Sequence, residues 1–128
     1  MAISFLFVKI KKQRSEINNS QHYIGKIVKA KIDRPLGSSH PKHGFIYPVN
    51  YGYIPNTVSG DGEELDVYLL GVEEPVNTYL ATIIAMIHRH NDTEDKLVAA
   101  PMGKHFTKEE IAQAVAFQEQ YYESEVEI

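Results

Sequence analysis

The sequence predicts a mainly β protein, a small β-barrel of about five strands with one helix packed on it near the C-terminus. Short apolar segments alternate with turn-forming residues between residues 24 and 100, which is typical of short strands joined by tight connections. After residue 107 the apolar side chains recur at helical spacing instead. The chain has 128 residues, of which 43% are apolar, and this is enough for one domain with its own hydrophobic core.

The strands are predicted from alternating or aromatic segments. Their predicted ranges are 24–32, 46–54, 65–70, 79–87 and 96–100. In the first, apolar side chains alternate with lysines, and in the second Pro48 favours a position at the start or edge of the strand. Gly, Pro, Asn and Asp separate the strands and predict turns at 33–41, 56–62 and 91–94.

The helix is predicted over residues 108–122. Thr107 and Glu110 have the spacing of a capping box, in which each side chain binds the other residue's backbone N–H. The residues at helical spacing that follow are Ile111, Ala114, Val115, Gln118, Tyr121 and Tyr122. The acidic residues from 123 to 127 are interpreted as solvated charge.

The two ends of the chain differ in character. Residues 1–22 are interpreted as an N-terminal extension or an extra edge strand, and residues 23–128 as the barrel domain. The apolar segment 3–8 could serve an interface in a homo-oligomer. Basic residues follow this segment rather than precede it, which is the reverse of a secretory signal, so we expect a cytoplasmic location.

Composition excludes several functional classes. The absence of cysteine excludes a disulfide framework, a thiol nucleophile and a cysteine zinc site. A net charge of -4 argues against a general nucleic-acid binder. No apolar run is long enough to cross a bilayer, so a membrane is not an expected partner.

An acidic cluster follows a tyrosine-rich segment. Asp61, Glu63 and Asp66 lie within six positions, and in an extended chain Asp61 and Glu63 point to the same face. Clustered carboxylates repel one another unless a cation lies between them, and Mg²⁺ prefers oxygen ligands and usually accompanies phosphate. The cluster therefore predicts a Mg²⁺ site. The alternative is an acidic surface turn, because Asp-Gly is a common hairpin signal.

The same region resembles the signature of the family I soluble inorganic pyrophosphatases, in the run Tyr47–Tyr53 followed by residues 61–67. Residues 92–101 are similar to the family's second acidic segment and its lysine, and residues 117–121 to its late helical tyrosine. The resemblance implies an OB-like closed barrel. It also implies Mg²⁺-dependent hydrolysis of pyrophosphate to two phosphates, by direct attack of a metal-activated water, with Mn²⁺ as an alternative cation.

The resemblance further implies roles for individual residues. Glu63 would activate the attacking water, with Tyr51 and Lys96 as the other catalytic side chains. The implied substrate-binding residues are Lys29, Arg34, Lys42 and Tyr121. The implied metal ligands are Asp61, Glu63, Asp66, Asp92, Glu94 and Asp95. The partner is then pyrophosphate or another small phosphorylated ligand.

The chain also departs from the family pattern. Glu63 replaces an aspartate, Tyr122 stands where the family has a phosphate-binding lysine, and Lys31 stands where it has a glutamate. These departures leave two alternatives: a hydrolase of another phosphoester or nucleotide, and a non-catalytic phosphate-binding or interaction module. Convergence of Arg34, Lys42 and Lys96 on the carboxylates would favour catalysis.

Histidine pairs suggest a further alternative. His88 and His90 would share one face of a strand, and His40 and His43 lie in one loop, so two pairs could bind zinc or manganese. The simpler interpretation of His88 and His90 is a pair of polar positions at a strand end. For His40 and His43 the alternatives are a phosphate contact and an ordinary surface loop.

Overall fold

The structure is a computed structural model that describes residues 22–59, 62–92 and 94–128. Within these ranges it contains one α-helix, α1, at Lys108–Glu119. The strands are β1 at Ile27–Arg34, β2 at Asn50–Ile54, β3 at Leu65–Leu69, β4 at Thr78–Arg89, β5 at Asp95–Ala100 and β6 at Ser124–Glu127. The predicted fold class is confirmed. The predicted extension at residues 1–22, including the apolar segment 3–8, lies outside the described residues except for His22.

Strand pairing closes the barrel. The order around it is β1-β2-β3-β5-β4, and β4 pairs again with β1. All of these pairs are antiparallel except β3 with β5, which run parallel. The long strand β4 continues past the ring, where its last residues pair with β6. A closed ring leaves no unpaired edge among these five strands.

Alternation along the strands divides the core in two. Leu65, Val67 and Leu69 of β3 point into the barrel interior. The intervening Tyr68 packs on the outer side, in a cluster that includes Ile111 and Val115 of α1. The helix thus covers the outer face of the sheet, and Asp66, which alternates with Val67, lies on the same outer face as Tyr68.

The predicted second strand is shorter in the structure. It begins at Asn50 rather than 46, because the preceding backbone pairs with the loop after β1: the Tyr47 N–H donates to the Ser38 carbonyl at 2.9 Å, and the Tyr47 carbonyl accepts from Gly37 at 2.8 Å. The Asn50 side chain is fully buried and binds neighbouring loops. Its Oδ1 accepts the Leu36 N–H at 2.9 Å, and its Nδ2 donates to the Glu74 carbonyl at 3.0 Å. Residues 46–49 contribute only an isolated bridge, between Ile46 and Ser39.

The C-terminal segment differs from the prediction. The helix ends at Glu119 rather than 122, and the acidic residues that follow are not merely solvated charge, because Ser124–Glu127 forms β6. Val126 is buried in this strand against the outer cluster. The capping box is confirmed, with Thr107 Oγ1 accepting the Glu110 N–H at 3.1 Å. No helix among the described residues is long and apolar enough to span a membrane.

Candidate active site

A pocket of about 790 Å³ opens on the outer face of the barrel beside the end of α1. Its carboxylates are Asp33, Asp66, Asp92 and Glu94. Its cationic side chains are Arg34, Arg89 and Lys96. The rest of its wall is mostly aromatic, formed by His40, His43, Phe45, Tyr47, Tyr51, Tyr121 and Tyr122, with Gln118 beside them. Charged and aromatic groups therefore share one pocket.

Lys96 lies at the centre of the carboxylates. Its Nζ donates to Asp66 Oδ2 at 2.6 Å and to Glu94 Oε1 at 2.5 Å, and the residue is only 3% exposed. Sheet register explains this arrangement, because Asp66 of β3 is paired with Lys96 of the parallel neighbour β5. A buried ammonium needs such anionic partners, since an unpaired charge is costly to desolvate.

Tyr51 completes this centre from β2. Its hydroxyl donates to the same Asp66 Oδ2 at 2.8 Å. Burial, the negative charge of Asp66 and the hydrogen bond to it raise the pKa of Tyr51 well above its ordinary value. The phenol therefore stays protonated at neutral pH and remains a hydrogen-bond donor.

Arg89 forms a second charged centre at the end of β4. Its Nε and Nη2 donate to the two carboxylate oxygens of Glu119 at 3.0 and 2.7 Å. The Tyr68 and Ser124 hydroxyls donate to the same carboxylate, at 2.6 and 2.5 Å. The Arg89 guanidinium also stacks 3.6 Å from the Tyr122 ring centroid.

The Arg89–Glu119 pair is held in its ionised form. Burial favours the neutral acid, but hydrogen bonds from Arg89, Ser124 and Tyr68 outweigh it and lower the pKa of Glu119. Burial also disfavours the charged guanidinium, yet the hydrogen bonds to Glu119 raise the pKa of Arg89 above its ordinary value. Neither residue was identified from the sequence. Arg89 lies between two histidines, and no local pattern links it to a glutamate 30 positions later.

The donor set of the pocket suits a divalent cation that is shared with phosphate. Among the described residues, no three Asp, Glu, His or Cys side chains come together closely enough to hold a metal by themselves. However, both hydrogen bonds to Asp66 fall on Oδ2, and Oδ1 accepts none from the described part of the chain. Mg²⁺ typically binds through one or two carboxylates, waters and substrate phosphates rather than a cage of protein ligands. Asp66, with Asp92 and Glu94 on the same wall, fits that mode.

The pocket brings together seven of the predicted site residues. They are Arg34, Tyr51, Asp66, Asp92, Glu94, Lys96 and Tyr121. The position of Arg34 follows from an irregularity in the pairing of β1 with β2, where the register shifts between Ile32 and Arg34. Two of the three cations expected to converge on the carboxylates, Arg34 and Lys96, line the same pocket as those carboxylates.

Four other predicted site residues do not line the pocket. Glu63 is exposed in the turn before β3, Lys29 is exposed on β1, and Lys42 is exposed in its loop; none lines the pocket. Asp95 is buried and its Oδ1 lies 2.9 Å from His88 Nδ1. Asp61 is outside the described residues. Their proposed roles stay predictions.

One histidine pair is engaged by carboxylates, and the other lines the pocket. The His88 and His90 rings lie 4.9 Å apart, as expected for one strand face. Each is engaged by its own carboxylate, His88 by Asp95 and His90 by Glu125 at 3.0 Å. His40 and His43, in contrast, line the pocket, with ring centroids 4.7 Å apart.

Comparisons with known proteins agree with this architecture. The sequence model of a family described as inorganic pyrophosphatase matches residues 8–125. The inorganic pyrophosphatase of Saccharolobus solfataricus is 41% identical over 78 residues, which are 58% of this chain and 42% of that protein. That of Neisseria meningitidis serogroup A is 44% identical over 62 residues, 44% of this chain and 34% of the relative. The chain thus aligns with less than half the length of these curated relatives.

Solved structures show the same fold. The chain is similar to the crystal structure of inorganic pyrophosphatase from Ehrlichia chaffeensis, with a TM-score of 0.62 and 22% identity, covering 80% of this chain and 85% of that one. It is also similar to the inorganic pyrophosphatase from Helicobacter pylori, with a TM-score of 0.60 and 18% identity, covering 82% and 83%.

Proposed function

The chain belongs to the inorganic pyrophosphatase family, and from that premise we propose that it hydrolyses inorganic pyrophosphate to two phosphates with a divalent cation, Mg²⁺ in the first place. The observation that carries the proposal is the centre formed by Asp66, Lys96, Glu94 and Tyr51. It combines carboxylate oxygens, a buried cation and a protonated phenol in one pocket.

The balance of charge in the pocket is the reason for including a metal. Four carboxylates face three cationic side chains, and one of those cations, Arg89, is already neutralised by Glu119. A polyanion such as pyrophosphate would be repelled by this surface without further positive charge. A divalent cation, when bound, would supply that charge and would lower the pKa of a water in the pocket. Asp66, Asp92 and Glu94 would hold it together with the substrate's phosphates.

The side chains of the chain have separable roles in this reaction. Lys96 and Arg34 offset the negative charge that grows on the phosphate oxygens. The exposed Tyr121 donates a hydrogen bond to those oxygens, and Tyr51, kept protonated by its surroundings, orients Asp66 through the hydrogen bond that it donates to Oδ2. A water oxygen then bonds to one phosphorus, the bridging P–O bond breaks, and a proton leaves the water. We assign that proton to Asp66, whose Oδ1 accepts no hydrogen bond from the described part of the chain, whereas the resemblance assigned water activation to Glu63.

The test is phosphate release from pyrophosphate, with Mg²⁺ and with Mn²⁺, in the whole chain. We expect metal-dependent release, reduced at least about 100-fold in Asp66→Asn, because loss of one preorganised electrostatic group typically costs that much in turnover. Glu73→Gln is the matched control, since Glu73 is an exposed carboxylate outside the pocket. An inactive wild type would sink the proposal. Equal turnover of Asp66→Asn and Glu73→Gln would remove Asp66 from the mechanism.

A further inference from the structure

One wall of the pocket is aromatic, and pyrophosphate has no ring that could stack on it. His40, His43 and Phe45 form this wall, which lies in the loop between β1 and β2. Ring centroids are 4.7 Å apart for His40 and His43 and 4.8 Å apart for His40 and Phe45. The planes of His43 and Phe45 are within 10° of parallel. Rings in this arrangement offer flat apolar faces that suit another flat ring better than a phosphate.

The loop holds this wall in place. The His40 N–H donates to the Phe45 carbonyl at 2.8 Å, and Ser39 pairs with Ile46. His40 Nδ1 accepts the backbone N–H groups of Lys42 and His43, each at 3.1 Å. A ring nitrogen that accepts in this way carries no proton, so His40 has its proton on Nε2 and is neutral. A neutral imidazole held in one orientation lacks the charge that would attract phosphate, and its ring can serve as a stacking surface.

The aromatic wall and the charged centre are a short distance apart. Ring centroids are 6.1 Å apart for His40 and Tyr47 and 5.7 Å apart for Tyr47 and Tyr51, and the Tyr51 hydroxyl binds Asp66. Tyr47 thus connects the wall with the ring of Tyr51, and a base on the wall and phosphates at the charged centre would lie in one pocket. The pocket volume of about 790 Å³ also falls in the range of roughly 300–1,000 Å³ that holds a drug-sized ligand.

We infer that the pocket accepts a phosphoanhydride that carries a planar aromatic group, a nucleoside diphosphate being the simplest such compound, with the ring stacked on His40, His43 and Phe45. The inference rests on the proposed function and specifies its substrate class. A water oxygen bonds to the terminal phosphorus and the bond from that phosphorus to the bridging oxygen breaks. The nucleoside monophosphate keeps the bridging oxygen, inorganic phosphate forms, and one proton passes to solvent.

The experiment measures phosphate release from pyrophosphate, ADP and UDP with Mg²⁺ in the wild type, Phe45→Leu and His43→Ala. We expect turnover of both nucleotides, and a fall of at least about fivefold in the ratio of nucleotide to pyrophosphate kcat/KM in each variant, the lower end of one base–aromatic stack. Phe106→Leu is the matched control and should keep the ratio. Phe106 packs against the same outer cluster as Phe45 but does not line the pocket.

The outcomes separate the two proposals. Phosphate release from pyrophosphate without release from either nucleotide would overturn the substrate inference and leave the proposed function intact. Release from nucleotides with an unchanged ratio in both Phe45→Leu and His43→Ala would overturn the stacking role. The absence of phosphate release from all three substrates would overturn both the proposed function and the inference. Because His43 is exposed, His43→Ala remains informative even if Phe45→Leu folds poorly.

Discussion

Replacing Glu119 by leucine should cost much of the stability of the fold. The side chains of Arg89 and Glu119 are 4% and 5% exposed, so solvent screens their interaction little. Glu119→Leu removes both hydrogen bonds from Arg89 to Glu119 and leaves the buried guanidinium only Asp92, at 3.4 Å, as an anionic partner. Breaking a buried pair in this way typically costs about 3–5 kcal/mol in the free energy of unfolding. For a domain of this size that corresponds to a fall in Tm of about 10 to 25 °C.

The double variant Arg89→Met/Glu119→Leu tests whether the loss of stability in Glu119→Leu comes from the buried charge that is left on Arg89. Replacing both partners with apolar side chains of similar volume is often nearly neutral, so we expect the double variant to be more stable than Glu119→Leu alone by at least about 2 kcal/mol. Urea unfolding followed by circular dichroism measures both. A loss below about 1 kcal/mol in Glu119→Leu, or a double variant less stable than the single one, would refute the reasoning.

Three further predictions concern pH, packing and catalysis. The folded-state pKa of Glu119 lies below its ordinary value of 4.5, so the unfolded chain binds more protons at this residue. The stability advantage of the wild type over Glu119→Gln should therefore shrink as the pH falls below about 4.5. A constant difference in urea midpoints from pH 7 to pH 3 would contradict this. A Cβ on Gly52 would lie 1.8 Å from the Lys31 carbonyl oxygen, so Gly52→Ala should destabilise by about 3 kcal/mol or more; an unchanged Tm would show that the strands can separate freely. Glu63→Gln should lower pyrophosphate turnover by less than about tenfold, against at least about 100-fold for Asp66→Asn. Equal losses in the two variants would mean that Glu63 activates the water.

Interactions between neighbours in sequence were predictable. The capping box at Thr107 and Glu110 uses partners three residues apart, and its two hydrogen bonds are present at 2.8 and 3.1 Å. The barrel strands were predictable because each is a short apolar or alternating segment bounded by turn-forming residues. By contrast, β6 has a single buried side chain, Val126, among acidic residues, and its existence depends on hydrogen bonds to β4, far away in sequence. Such a strand has no local signal.

The candidate site was predictable to the extent that its residues follow a known pattern. Tyr51, Asp66 and Lys96 were singled out by resemblance, and strand register brings their side chains into contact. Arg89 was not singled out, since its burial depends on Glu119, which reaches it only through the packing of α1 on the sheet. Long-range ion pairs of this kind are set by tertiary structure and leave no spacing rule in the sequence.

The Arg89–Glu119 pair also determines when the protein can become native during its synthesis. All five strands of the ring have left the ribosome once residue 100 is exposed, and the chain could then pair them. At that moment the guanidinium at the end of β4 could pair with Asp92 but not with Glu119, which has not yet emerged. Its burial beneath α1 therefore waits until the helix has been made. Strands and helix form one folding unit, in which Glu119 neutralises a charge introduced 30 residues earlier.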